Sequence, residues 1–416
     1  MYLCGEKIIK LVKRIFIFLS FIIVLVFVSY FLWSFKDQDL KSTPVNADAV
    51  VLIDVKALKE QYVLTLLKNP SKWFEYSKNS SEKSGLEIPD YVQIFHLKDS
   101  DFSKWYSVFQ ITNLDEFFNF LKQKGFKLTK NNIYTKDEFS VKIEASKCVI
   151  GFSNSNFEKS TAEILSSKTT TLYADKLINN SVASVSYFAK SKIHKFAVYL
   201  NDDNIEIKTK TTDDIFSKMI SDLNQQTSFL KLNLDSSNVK IASKLFNKKL
   251  SDSINVNSIS AVANLEMVKD KIISYGYDDN FNEVEKVSFQ QILQPNYSIN
   301  LETLEADKRW NYFESKRWIN TQNQFTEIPF QPNVIQKSGN GISIKSTRKA
   351  IEFGQSFSGN YIFVKNNPLL VNSFKSISAS KKKAFSKIDY CFYGNKGDYY
   401  YLKINFKKEK FPLILR

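Results

Sequence analysis

The run from Ile15 to Trp33, IFIFLSFIIVLVFVSYFLW, carries no charge. At about 1.5 Å per residue, a helix over this run covers roughly 28 Å, close to a hydrocarbon core of about 30 Å. No water satisfies backbone groups inside a bilayer, so a spanning segment of this kind has to be helical. Tyr30, Phe31, Trp33 and Phe35 crowd one end, where an interfacial aromatic belt sits. The tail before the run holds Lys7, Lys10, Lys13 and Arg14 against Glu6, and the positive-inside rule keeps such a tail in the cytoplasm. A cleaved leader has a shorter apolar core and small residues at its cut. Here SYFLWSFKD is bulky, and Cys4 lies on the wrong side for lipidation. The sequence therefore predicts an uncleaved single-pass anchor in the inner (cytoplasmic) membrane. Its parts are a cytoplasmic tail (1–14), the anchor (15–35), a polar linker (36–46) and an extracytoplasmic body.

The body has ordinary apolar and charged fractions for a folded chain, and is long enough for two domains. Its boundaries are read as a first α+β unit over 47–215 and a second over 216–416. The formal net charge is +15. The basic residues are scattered, and an extracytoplasmic body rarely meets DNA, so nucleic acid is not an expected partner. The runs Lys248-Lys249, Lys381-Lys382-Lys383 and Lys407-Lys408 with Lys410 read as solubilised surface, or more sharply as contacts for anionic lipid head groups. Cys148 and Cys391 both fall in strand-like runs. A disulfide between them and two separate buried thiols are both open readings.

Hydrophobic alternation places strands at ADAVVLIDV (from Ala47), YVQIFHL (from Tyr91), WYSVFQI (from Trp105), FSVKIEAS (from Phe139) and CVIGFS (from Cys148). Helical spacing covers Lys56 to Lys68, LDEFFNFLKQKG and NFEKSTAEILSS, with Asn113 capping the second of these and Gly125 closing it. The stretch from Ser77 to Gly85 reads as a loop. Three later segments read as hairpins: AVYLNDDNIEIKTK (from Ala197), AVANLEMVKDKIISYGY (from Ala261) and DYCFYGNKGDYYYLKINF (from Asp389).

Two echoes link the halves. YSVFQITNLDEFFNF (from Tyr106) is matched by YSINLETLEADKRWNYF (from Tyr297), each an alternating strand running into an acid-started aromatic helix. CVIGFSNSN is matched by YIFVKNNP (from Tyr361). Echoes in the same order predict a duplicated unit. The expected fold is thus α+β: an N-terminal transmembrane helix, then a duplicated, mainly antiparallel sheet-plus-helix extracytoplasmic body. The anchor, NADAVVLIDV and WYSVFQITNLDEFFNFLKQKGF together resemble single-pass envelope proteins of Bacteroidota with repeated α+β extracytoplasmic modules. The resemblance implies an envelope location and brings no catalytic residues with it.

Motifs for chemistry are few. G-x-S-x-G is missed by one residue in GQSFSG, Gly354 to Gly359. His96 and His194 are the only histidines available to a Ser-His-acid triad; the first reads as structural within a strand, the second as surface in the connection SKIHK. S-x-x-K recurs at Ser80 to Lys83, Ser237 to Lys240 and Ser378 to Lys381, all in loop-like sequence, without the desolvated lysine that Ser-Lys chemistry needs. YDDNFNEVE imitates a calcium loop with Asp278, Asn280 and Asn282. However, Glu283 replaces the required glycine and Phe289 the bidentate glutamate, so turn and helix-start chemistry explains it better. The NDDN of Asn201 to Asn204 reads as a hairpin turn. No zinc spacing, Walker A sequence or G-x-G-x-x-G occurs. No catalytic, metal or cofactor residue is therefore assigned.

Three functions compete. The leading expectation is a non-enzymatic, membrane-anchored protein-binding or scaffold protein, an accessory subunit of an envelope assembly. A lipid or hydrophobic-ligand module would need a large apolar pocket. An envelope hydrolase would need clustered acids or a buried lysine with a perturbed pKa.

Overall fold

The computed structural model describes residues 36–416 apart from 74–82, 99, 102, 170–171, 179, 190–191, 210–215, 247–255, 329–332, 347–350, 352, 354–356 and 374–378. The tail and anchor expected over 1–35 lie outside the described residues. Among the described residues no helix is long and apolar enough to cross a membrane. The chain is α+β, with helices laid on antiparallel strands, and it divides into two compact units at Lys195/Phe196.

The first unit contains β1 (Ala47–Asp54), α1 (Val55–Lys68), β2 (Tyr91–Leu97), β3 (Trp105–Gln110), α2 (Leu114–Gln123), β4 (Lys127–Leu128), β5 (Ile133–Lys136), β6 (Phe139–Glu144), β7 (Lys147–Phe152), α3 (Phe157–Ser166) and β8 (Ala183–Ala189). Its strands lie in the order β8-β1-β2-β3-β7-β6-β5-β4, antiparallel throughout. Cap chemistry sets the helix starts. The Asp54 carboxylate accepts from the Ala57 amide at 2.8 Å, and the Asn113 side chain accepts from the Glu116 amide at 3.1 Å. Gly125 closes α2 at φ +83°, a conformation that favours glycine. Phe117 and Leu121 of α2 pack on Ile111, Val141, Ile143 and Cys148, while Phe157 and Ile164 of α3 pack on Val50, Phe95, Tyr106 and Val149.

The expected linker is part of this unit. Leu40 and Thr43 are 1% and 0% exposed. The Leu40 amide donates to the Leu172 carbonyl at 3.2 Å, the Thr43 hydroxyl donates to Gln93 Oε1 at 3.0 Å, and Lys36 pairs with Asp54. Its polar composition suggested a tether. Two well-spaced side chains, Leu40 and Thr43, are enough to dock it.

The second unit contains β9 (Lys192–Leu200), β10 (Asn204–Lys208), α4 (Ser217–Gln225), β11 (Leu230–Asp235), α5 (Ser236–Phe246), β12 (Ser258–Tyr277), β13 (Glu283–Glu302), α6 (Ala306–Ser315), β14 (Asn333–Ser338), β15 (Gly341–Ser346), β16 (Asn360–Lys365), α7 (Pro368–Ser373), α8 (Ala379–Lys387), β17 (Ile388–Lys396) and β18 (Tyr399–Phe406). The order is β9-β10-β18-β17-β16-β11-β12-β13-β15-β14. The division falls before the expected boundary at 215/216 because β10 pairs with β18, which draws the β9–β10 hairpin into this unit. Phe313 of α6 packs with Trp318, Phe325, Leu301 and Ile344. Phe216, Ile220 and Leu223 beside and on α4 pack against Tyr361, Phe363, Phe392 and Tyr401.

Two local expectations fail. The hairpin read within Ala261 to Tyr277 is part of one uninterrupted strand of 20 residues, in which Asp270 of VKDK pairs with Gln290 instead of turning the chain. The reversal comes instead at Asp278 to Asn282, and a strand follows it, not a helix. In the second echo, β7 pairs with β3 and β6, whereas β16 pairs with β11 and β17, so the two segments hold different sheet positions. Cys148 and Cys391 are both free thiols, and burial pushes the Cys148 thiol up to about 12.

Leu40→Ala should lower unfolding stability by about 2–5 kcal/mol in a urea titration of the protein, the usual cost of a buried Leu deletion. A tether without packing would leave the midpoint unchanged.

Candidate functional site

β12 and β13 are each 20 residues long, but other strands support only their base. β11 pairs with β12 as far as Ala263, and β15 pairs with β13 only from Ser298 onward. Beyond these points the two strands pair solely with each other, forming a ribbon that runs about 45 Å at 3.4 Å per residue. Pro295, which has no amide to give a ladder, sits on the open edge where that costs nothing.

The ribbon continues the alternation of the core. At the base, the odd-numbered side chains Ile259, Ala263, Tyr297 and Leu301 face the apolar core beneath α6. Further out, the same parity carries Met267, Ile273, Tyr275, Tyr277, Val287 and Phe289, all exposed; Tyr277 reaches 69% and Phe289 58%. Cross-strand rungs set them side by side, Ile273 against Val287 and Lys271 against Phe289, with the Lys269 ammonium 4.6 Å from the Phe289 ring centroid. The tip is built by Asp278. Its Oδ1 accepts from the amides of Asn280 at 2.9 Å and Asn282 at 2.8 Å, with Phe281 at φ +60° and 86% exposed. These hydrogen bonds, the Asn282 amide first, hold the Asp278 carboxyl below its usual range. The calcium-like motif is therefore a turn.

Two clefts are polar. One, of about 590 Å³, lies in the second unit between α4 and the ends of β10 and β18. Glu206 at its centre accepts from the Tyr401 hydroxyl at 2.9 Å and pairs with Lys208 at 3.3 Å and Lys403 at 3.4 Å. Burial works to raise the Glu206 pKa, but the Tyr401 hydrogen bond and the two ammonium groups outweigh it, and the net displacement is downward. Tyr401 is driven up, by burial first and then by the Glu206 charge. The other cleft, of about 650 Å³ in the first unit, gathers Asp37, Asp39, Glu87 and Asp90. Its acids have cations at hand: Lys41 lies 2.6 Å from Asp37 and Lys56 3.0 Å from Asp90. The Lys41 hydrogen bond lowers the Asp37 pKa. A general acid needs the opposite displacement.

His96 is buried, as its strand position predicted. Nδ1 lies 2.7 Å from Asp48 Oδ1, while Nε2 lies 3.0 Å from both the Asp101 carbonyl and the Ser100 hydroxyl. This has the outline of a Ser-His-Asp triad with different bonding. The Ser100 hydroxyl is 2.7 Å from the Leu97 carbonyl, which takes its proton, and Nε2 faces a carbonyl that calls for an N–H. The array clamps the end of β2 to the following turn. His194 lies exposed on β9, not in a connection. Ser237 and Lys240 lie on α5, also not in a loop. Ser80 and Ser378 lie outside the described residues. Among the described residues the buried lysine is Lys231 on β11, 3% exposed, whose ammonium donates to Gln226 Oε1 at 3.0 Å and whose pKa burial lowers. No spacing motif marks it. The arm was not foreseen, since its first strand was expected to turn back within Ala261 to Tyr277.

No protein-family model matches the chain, and no curated protein matches its sequence. A solved structure titled "Structure of crystal form I of TP0453" aligns with 76% of this chain and 93% of its own at 12% identity, with a TM-score of 0.23. A likeness that low carries no argument about fold or function.

Because the folded Glu206 pKa is depressed, its contribution is complete above the unfolded carboxylate pKa of about 4.3 and is lost as pH falls through the folded value. Thermal melts taken between about pH 6 and pH 3 should therefore show a smaller acid-induced loss in Glu206→Gln than in the parent protein. Parallel curves would refute the assignment.

Proposed function

We propose that this chain is a non-catalytic, single-pass membrane protein whose extracytoplasmic body binds other proteins, an accessory or scaffold subunit of an envelope assembly, with the β12–β13 arm as its docking element. One observation carries this reading: a core-type apolar face runs out along the arm and stays exposed. Large apolar patches on a soluble surface mark interaction sites, and a bare two-stranded ribbon is marginal in water on its own. With the anchor ending at Phe35, Lys36 would leave the membrane and enter the fold at once. The body would then sit close to the bilayer and not on a free tether.

We read the body as a duplication. β1 pairs with β2 and β8, as β11 pairs with β12 and β16; β3 pairs with β7 and β7 with β6, as β13 pairs with β15 and β15 with β14. The first echo falls on equivalent elements, β3–α2 and β13–α6. The lipid-module reading is favoured less, since both clefts are walled largely by charged and polar groups. The hydrolase reading ranks last. It draws on Lys231 and the acid-lined cleft, but the displaced carboxylates Asp37, Glu206, Asp235, Asp278 and Glu305 all shift downward.

Carbonate washing of membranes should leave the full chain in the pellet and release a chain starting at Lys36. Crosslinked isolation in mild detergent should recover a stoichiometric protein with the parent chain, and at least about tenfold less with Ile273→Asp/Phe289→Asp, which buries two charges at the contact. Equal recovery with both chains would reject the arm as the docking element.

A further inference from the structure

We infer that the occupant of the arm's apolar face is the arm of a second copy of this chain, laid face to face and antiparallel about a two-fold axis through the Ile273–Val287 rung. The inference rests on reading the arm as a protein-docking surface. From base to tip, the rungs of this face are Lys269/Gln291, Lys271/Phe289, Ile273/Val287, Tyr275/Glu285 and Tyr277/Glu283. Both lysines lie on the base side of the Ile273–Val287 rung and both glutamates on the tip side. A two-fold axis at that rung places the Lys271/Phe289 rung on the Tyr275/Glu285 rung of the second copy, and Lys269/Gln291 on Tyr277/Glu283. Every cationic rung then meets an anionic one; Ile273 and Val287 meet their own copies, Phe289 and Tyr275 meet each other's rungs, and Tyr277 meets Lys269/Gln291. The parallel arrangement sets cationic rungs on cationic rungs and anionic rungs on anionic rungs, so charge selects the antiparallel one. The two ends of the face are complementary to each other, which is what an isologous interface requires.

The same pattern argues against a lipid surface. The chain carries a net charge of +15, yet this face balances Lys269 and Lys271 with Glu283 and Glu285. The tip, which would meet an anionic bilayer first, adds Asp278 and Asp279. The contact spans a ribbon about 34 Å long and about 10 Å wide, below the roughly 800 Å² per partner of a standard interface. Affinity in solution is therefore weak. A shared membrane raises the effective concentration of one anchored copy for another.

The test uses the full chain in its own membranes, in a Cys4→Ser background with Cys148 and Cys391 retained. Ile273→Cys sits at the axis and should crosslink to a dimer with a short bismaleimide; Met267→Cys, three rungs away, should not. Lys269→Glu/Lys271→Glu, and separately Glu283→Lys/Glu285→Lys, should each reduce the Ile273→Cys crosslink at least about tenfold. Mixing the two charge variants should restore it. Absence of the Ile273→Cys crosslink, or its persistence through both charge reversals, overturns the inference. If that happens while Ile273→Asp/Phe289→Asp still loses a different protein partner, the docking function stands and only its occupant is wrong. Arm-dependent flotation with phosphatidylglycerol vesicles, without a dimer, would overturn both.

Discussion

The second unit depends on the register between β12 and β13. Rungs run without a break from Ser258–Glu302 to Tyr277–Glu283. At the base, this register turns Ala263, Tyr297 and Leu301 into the core beneath α6. A slip of one residue would replace them with neighbours of the opposite parity, such as Asn264, Asn296 and Asn300, and remove the core's floor. Gly341 helps to hold the base. At φ +153° it lets the β14–β15 turn approach β13 so closely that a Cβ there would meet the Leu301 carbonyl oxygen at 2.0 Å. Because the base is held in this way, the same parity is enforced to the tip, and the apolar face beyond the core follows from it.

That face explains why the arm is not simply an overlong hairpin. A strand that has left its core normally switches to polar residues on both sides. Here the side chains that would be polar are Ile273, Tyr275, Val287 and Phe289. The opposite face mixes Asp270, Ser274, Lys286, Ser288 and Gln290 with half-buried Ile272, Val284 and Ile292 and buried Val268. The exposed aromatic and aliphatic groups of the ribbon thus gather on one side.

Much of this was legible in the amino-acid sequence, and the reasons for the failures are specific. The helix start at Asn113, the stop at Gly125 and the turns at Asn201–Asn204 and Gly397–Asp398 follow from local chemistry, and local chemistry can be read without the fold. His96 lies buried in a strand, as expected, although its Asp48 and Ser100 partners could not be foreseen across β1 and the following turn. The failures are tertiary. Leu40 and Thr43 look like tether residues until Leu52, Tyr91 and Gln93 are brought over them. The unit boundary moved because β10 pairs with β18, nearly two hundred positions downstream. No periodicity marks Lys231, whose burial depends on Phe357 and Gln226 arriving from other segments.

The polar cluster at Glu206 shows how the second unit can keep a half-buried charge. Glu206, Lys208, Lys403 and the Tyr401 hydroxyl come from β10 and β18, the pairing that draws the β9–β10 hairpin into the unit. One carboxylate shared by two ammonium groups and a phenol has its lone pairs satisfied at low exposure, which is the condition under which a half-buried charge is tolerated. Removing Glu206 would leave Lys208 and Lys403 facing each other, so the cluster acts as a lock on the β10–β18 seam. The same economy appears on the arm, where Lys269 and Lys271 have no carboxylate on their own rungs and Glu283 and Glu285 have no ammonium on theirs. Within one copy those charges are displaced along the ribbon, and the reversed second copy inferred above would bring cationic and anionic rungs together.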